Sequence, residues 1–107
     1  MNSYQELLLK IRKFNEDRDW DQFHSLENLA KSVSIEAGEL LECFQWSDEY
    51  DKEAVCEEMA DVFTYLIDMA DKLDVDLLDI TDKKMDKNIL KYPVEKARGK
   101  NTKYDKL

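Results

Sequence analysis

Apolar residues recur every third or fourth position along most of the chain, the spacing that places them on one face of an α-helix. Leu7, Leu8, Ile11 and Phe14 form the first such stripe, and Ser3 followed by Glu6 supplies a capping box to open it. The polar run 15–19 is expected to end that helix. Ser25, three residues before Asn28, caps a second helix predicted to reach about residue 44, with Leu26, Leu29, Val33, Ala37, Leu40 and Leu41 facing inward. The connection 45–51 is short, so a third helix over about 52–73 should run antiparallel to the second. Asp74 or Asp76 caps a fourth, which runs to Tyr92 and stops at Pro93. Residues 93–107 are polar, carry Gly99, and read as an extended tail. The pattern predicts an all-α fold, a four-helix bundle with a C-terminal tail, in one domain over 1–107.

The third helix carries more than one stripe. Val55, Met59, Val62, Phe63, Leu66, Ile67, Met69 and Leu73 cover close to half its circumference. A second buried face implies a homo-oligomer, most simply a two-fold one.

Composition narrows the functional classes. A chain of 107 residues buries one modest core. Two glycines are too few for a phosphate-cradling loop or a dinucleotide fingerprint, and one histidine excludes sites built on several imidazoles. The two cysteines lack CxxC spacing, which gives neither a zinc nor a disulfide framework and points to a reducing cytoplasm. No apolar run approaches a membrane span, and the first residues lack a basic-then-apolar leader. A net charge of −9 opposes contact with a nucleic-acid backbone. If the chain handles phosphates, a cation must stand between them and its acids.

Two acidic pairs answer that requirement. Glu36-Ala-Gly-Glu39 in the second helix is echoed by Glu58-Met-Ala-Asp61 in the third. At about 100° per residue, Glu36 lies about 70° and Glu39 about 130° to one side of their apolar stripe. Glu58 and Asp61 take nearly the same offsets in the same rotational sense. Antiparallel helices resting on one core are related by an approximate two-fold axis, which turns such flanks toward each other. Four carboxylates would then converge, and a hard divalent cation with oxygen ligands would relieve their repulsion. Magnesium is the expected ion, with manganese as a substitute. Taken singly, either pair reads first as a solvated face in a chain with 38% charged residues, and the matched offsets of the two pairs bring the site reading level with it.

The order of motifs adds to this. Glu-x-x-Glu, an interval of about twenty residues, then Glu-x-x-Asp resembles the signature of the MazG-like nucleoside triphosphate pyrophosphohydrolases. Asp19-Trp-Asp-Gln-Phe-His24, Gly38-Glu-Leu, Phe44-Gln-Trp46, Glu57-Glu-Met-Ala-Asp61 and Tyr65-Leu resemble the dCTP pyrophosphatase branch. Lys84-Met-Asp-Lys-Asn88, Tyr92-Pro-Val, Arg98-Gly and Lys103-Tyr continue the likeness to the end of the chain. The resemblance implies hydrolysis of a deoxynucleoside triphosphate between its α- and β-phosphates, with dCTP or a modified pyrimidine relative favoured over dUTP or dATP. It implies that Glu36, Glu39, Glu58 and Asp61 hold magnesium, that Glu36 and Glu39 take part in catalysis, and that the protein is a dimer or tetramer. Glu36, closest to the apolar stripe, is the candidate general base, because desolvation there raises basicity.

Other residues carry two readings each. Trp20 and Trp46 are either margin packing or stacking platforms for a base, a role the resemblance favours. His24 is either a structural histidine near a helix start or a hydrogen-bonding partner of substrate. Tyr65, one turn beyond Asp61, stays on the carboxylate flank where a sugar would lie. Lys84, Asn88 and Tyr92 share one face of the fourth helix, and with Arg98 they contact phosphate or base by resemblance; otherwise they suit the helix dipole or a solvated tail. The aspartates 71, 74, 76, 79 and 82 lack the glycine and terminal glutamate of a calcium loop. A non-catalytic helical oligomerisation module is the rival from a different class.

Overall fold

The computed structural model describes residues 3–107, and the reading of the first two residues of the chain lies outside it. All described elements are helical: α1 (Tyr4–Asp17), η1 (Asp21–Phe23), α2 (Leu26–Glu42), α3 (Lys52–Lys72), α4 (Leu77–Lys91), α5 (Val94–Ala97) and η2 (Tyr104–Lys106). The caps explain the starts. The Ser3 hydroxyl accepts from the Glu6 N–H at 3.0 Å, and Ser25 from Asn28 at 3.1 Å. Asp76, rather than Asp74, caps α4, accepting from Leu78 at 2.8 Å and Asp79 at 3.1 Å.

Asp74 instead helps to end α3. Val75 donates to Ala70 at 2.9 Å and Asp74 to Asp71 at 3.1 Å, with Asp74 at φ 57°. The end of α1 repeats this pattern: Trp20 donates to Asn15 at 2.9 Å, Asp19 to Glu16 at 3.1 Å, and Asp19 lies at φ 53°. Both are Schellman closures, which normally place glycine at the left-handed position. In this glycine-poor chain aspartate fills it, and the Asp19 carboxylate also accepts from Gln22 Nε2 at 2.9 Å.

Three details differ from the pattern-based expectation. The α2 helix stops at Glu42, and residues 43–45 continue in tighter i→i+3 bonds. The 93–107 segment is not fully extended, because Pro93 starts the turn of α5 and a second turn forms at Tyr104–Lys106. Leu26, Ala37 and Leu41, expected inward, are exposed, Leu41 at 72%.

The chain forms two compact units, one up to Val75 and the other Asp76–Leu107. In the first, α2 and α3 form an antiparallel hairpin. Leu29 and Asp68 line one cavity, Ser32 meets Tyr65, Glu36 meets Glu58 and Asp61, and Leu40 lines a groove with Cys56. Near the connection, the Phe44 and Tyr50 rings pack at a tilt of 57° with centres 5.4 Å apart. The α1 helix lies against α3. The buried apolar core is small: Leu8 and Ile11 from α1, Leu29 from α2, and Ile67 and Ala70 from α3. In the second unit, Tyr104 packs edge-on against Tyr92 at 6.2 Å, and the Lys91 ammonium lies over the Tyr104 ring.

Candidate metal centre

The α2–α3 hairpin brings the two acidic pairs face to face. Carboxylate oxygens of Glu36, Glu58 and Asp61 lie within 4.8 Å of one another, and Glu39 reaches both Glu36 and Glu58. Asp61 and Glu39 are exposed, whereas Glu36 and Glu58 are half-buried. Oε2 of Glu36 and Oε2 of Glu58 are buried with no hydrogen-bond partner. Among the described residues, the ion pairs join Arg12 to Asp71, Lys13 to Asp17, Lys31 to Glu27 and Lys83 to Asp79, so none neutralises the cluster.

The electrostatic consequence is plain. Burial first, and then the neighbouring Glu39, Asp61 and Glu58, push the Glu36 carboxyl up to about 7. Burial together with Glu39 and Asp61 raises Glu58 above the ordinary carboxylate range as well. Two orphaned buried oxygens inside a ring of unneutralised acids form an all-oxygen donor set. That set fits a hard divalent cation and offers nothing to a soft one.

Beside the acids lie two cavities with shared walls. One, of about 400 Å³, is largely apolar and runs from Leu7 and Phe14 past Trp20 and Tyr65 to Asp61. The other, of about 410 Å³, is walled by Trp20, Phe23, His24, Asn28, Ser32 and Tyr65. Trp20 is fixed edge-on to Phe14 at 5.4 Å. Tyr65 is hydrogen-bonded to Ser32, and burial and the nearby Glu36 raise its phenol pKa. The structure thus collects Trp20, His24 and Tyr65 around the cavities next to the acids. Trp46 stands in the α2–α3 connection at φ 74°, with its side chain 92% exposed in this chain.

Lys84, Asn88, Tyr92 and Arg98 belong to the second unit. There, repulsion from Lys91 and Lys87 holds the Lys84 ammonium below its ordinary pKa. The Asn88 amide touches Met85 Sδ at 3.8 Å, and Arg98 follows the α5 turn.

Some site features escaped the sequence reading. Asn15, assigned to a polar run ending the first helix, lies inside α1 and is 6% exposed. Its amide donates to Asp68 Oδ1 at 2.9 Å. Burial raises the Asp68 carboxyl, against the opposing pull of Asn15 and His24. Asp68 follows Asp61 by seven residues, two turns along the same face, and that spacing was the available signal.

The sequence model of the MazG-like family matches residues 31–107, a span that includes both acidic pairs and α4 but not Trp20 or His24. The chain belongs to the MazG-like family. It is 38% identical over 105 residues to dCTP pyrophosphatase 1 of Mus musculus, and 37% identical over 105 residues to that of Homo sapiens. In each case 89% of this chain is matched, and it spans 62% of the length of the relative. A crystal structure of a pyrophosphatase from Archaeoglobus fulgidus is 41% identical, with a TM-score of 0.75, over 83% of this chain and 91% of that one.

Proposed function

We propose that this protein is a magnesium-dependent nucleoside triphosphate pyrophosphohydrolase that converts a deoxynucleoside triphosphate, with dCTP or a modified pyrimidine relative foremost, to the monophosphate and pyrophosphate. The observation that carries the reading is the convergence of Glu36, Glu58 and Asp61 around two buried carboxylate oxygens without partners. The names of the matched relatives support it.

In this reading Glu36, Glu39, Glu58 and Asp61 hold the cation. Bound there, magnesium supplies charge neutralisation and polarisation of the phosphoryl oxygens, which lets an acidic chain accept a triphosphate. The water oxygen attacks the α-phosphorus and the bond to the bridging oxygen breaks, so that pyrophosphate leaves with that oxygen. The proton of the water goes to Glu36, the carboxylate of the second helix closest to its apolar stripe. Glu39, hydrogen-bonded to Glu36 one turn away on the same helix, is the second carboxylate of the catalytic pair. Trp20, His24 and Tyr65 wall the cavity for base and sugar, and Trp46 supplies an exposed ring for stacking. Lys84, Asn88, Tyr92 and Arg98 supply the cationic and polar contacts to phosphates and base.

The same reading includes a homo-oligomer, a dimer or tetramer. Leu40, Cys56, Met59, Val62, Phe63 and Leu66 line an apolar groove of about 510 Å³, with Met59 55% exposed. An exposed apolar face of this kind is stable in water when a second copy covers it. The reading also includes a cytoplasmic role in clearing nucleotide pools.

Pyrophosphate release from each common dNTP and NTP with magnesium tests the reading, comparing wild type with Glu39→Gln. Wild type is expected to give monophosphate and pyrophosphate, and the variant to lose most of that activity. Cleavage of no triphosphate with either magnesium or manganese overturns it and leaves the helical oligomerisation module in its place.

A further inference from the structure

The end of α1 folds back on its own aromatic residue. Arg18 is the C-cap, Asp19 takes the left-handed position, and the Trp20 N–H donates to the Asn15 carbonyl at 2.9 Å. That closure returns the chain over Phe14, and the side chains on either side of Asp19 both land on its ring. The Arg18 guanidinium carbon lies 3.9 Å from the Phe14 ring centre, and Nη1 donates to the Phe14 carbonyl at 3.2 Å. Trp20 meets the same ring edge-on, with centres 5.4 Å apart and planes at 80°.

Arg18 takes this ring although carboxylates abound. The chain has 25 acidic residues against 16 lysines and arginines, and Asp17 and Asp19 flank Arg18 in sequence. Asp17 pairs instead with Lys13, and Asp19 accepts from Gln22. Among the described residues, no carboxylate forms an ion pair with Arg18. A guanidinium stacked on a ring, with one N–H on the backbone, is held flat in a way a lysine ammonium cannot copy.

Phe14 and Trp20 both line the cavity of about 400 Å³ that reaches Asp61, and Trp20 also walls the second cavity. Phe14 is 44% and Trp20 42% exposed, so the core leaves both rings partly free. The edge contact between them and the stacked guanidinium restrict that freedom.

We propose that Arg18 is a positioning residue: by clamping Phe14 it fixes the Trp20 ring as a wall of the cavity that receives the nucleoside part of the substrate. This rests on the reading of the protein as a nucleoside triphosphate pyrophosphohydrolase. Arg18 touches no ligand and acts through Phe14. A ring set in advance spares the ligand the cost of ordering it, so the benefit falls on KM and not on kcat.

Fluorine NMR of the full chain labelled with 5-fluorotryptophan tests the clamp without nucleotide. The chain has two tryptophans, Trp20 and Trp46, and Trp46→Phe assigns their resonances. In Arg18→Gln the Trp20 resonance should shift while that of Trp46 stays. An unmoved Trp20 resonance overturns the proposal. In steady-state assays Arg18→Gln should raise KM for the preferred triphosphate about fivefold and leave kcat within about twofold. An unchanged KM overturns the positioning role. The same substitution made in Phe14→Leu should change KM by less than about twofold, because its intermediary is gone. An equal factor in both backgrounds overturns action through Phe14 and makes Arg18 a direct attraction for the phosphates. If wild type cleaves no triphosphate, the enzymatic reading fails, and the fluorine spectrum still decides whether Arg18 holds Trp20.

Discussion

Replacing Glu36 with glutamine should make the protein more stable and its cation site useless. The carboxyl stands at about 7 because burial and three neighbouring acids oppose its charge. At about 1.4 kcal/mol per pKa unit, full ionisation of such a group costs the folded state about 3 kcal/mol. Glu36 is only half-buried and its neighbours Glu39 and Asp61 are exposed, so solvent screening reduces this to about 1 kcal/mol. For a domain of this size that is about 4–7 °C in Tm. Wild type recovers stability from the ion. With a Kd of about 1 mM, magnesium at about 10 mM contributes RT ln 11, about 1.4 kcal/mol, or about 6–10 °C. The assay is thermal unfolding by circular dichroism at pH 8, in chelator and then in magnesium. Glu36→Gln is expected to melt above wild type in chelator and to ignore magnesium, while wild type climbs. A variant that melts at or below wild type in chelator refutes the repulsion argument. Equal magnesium shifts in both refute the site.

Two further perturbations read the scaffold. Asp74→Gly should raise stability by about 0.5 kcal/mol and Asp74→Ala lower it by about 1 kcal/mol, because φ 57° suits glycine, tolerates aspartate and penalises a plain Cβ; urea melts distinguish the signs. Asp68, raised above its ordinary 3.8 by burial, binds its proton more tightly folded than unfolded. Its contribution is therefore fully present below 3.8 and is lost as pH rises through the higher folded value, so stability falls with pH across that window. Melting curves across that window should show the slope in wild type and a shallower one in Asp68→Asn, the remainder coming from the raised carboxyls of Glu36 and Glu58.

The hairpin was legible because everything it depends on is local. Ser25 and Asp51 cap α2 and α3, a short connection forces them antiparallel, and a three-residue spacing sets each acidic pair on its flank. Rotational offset then carries Glu36 to Glu58 and Asp61 without knowledge of anything outside the two helices. Leu41 shows where that logic stops, since periodicity gives a helix face and not what covers it. Asp74 shows it again: aspartate serves both as an N-cap and at a left-handed C-terminal position, and only the backbone bonds of Val75 decide between them. The pairing of Asn15 with Asp68 spans 53 residues and joins two helices whose relative rotation no single stripe fixes. Polar residues inside a helix read as solvent-facing until a partner across the interface is known.

The acids weigh heavily on a chain with so thin a core. With Leu29 and Ile67 almost alone in being fully enclosed, the first unit has little apolar burial to set against four mutually repelling carboxylates. A protein selected only for stability would pair or remove them, as it pairs Asp71 with Arg12 and Asp17 with Lys13. Surface pairs of that kind contribute at most about 1 kcal/mol each, so lysines placed near Glu36 and Glu58 would be a small change. Instead the charges are left facing one another, with two oxygens buried and unpartnered. Repulsion maintained at a cost to folding is what a bound cation would relieve. In the proposed function that cation would also reconcile a net charge of −9 with a polyanionic substrate.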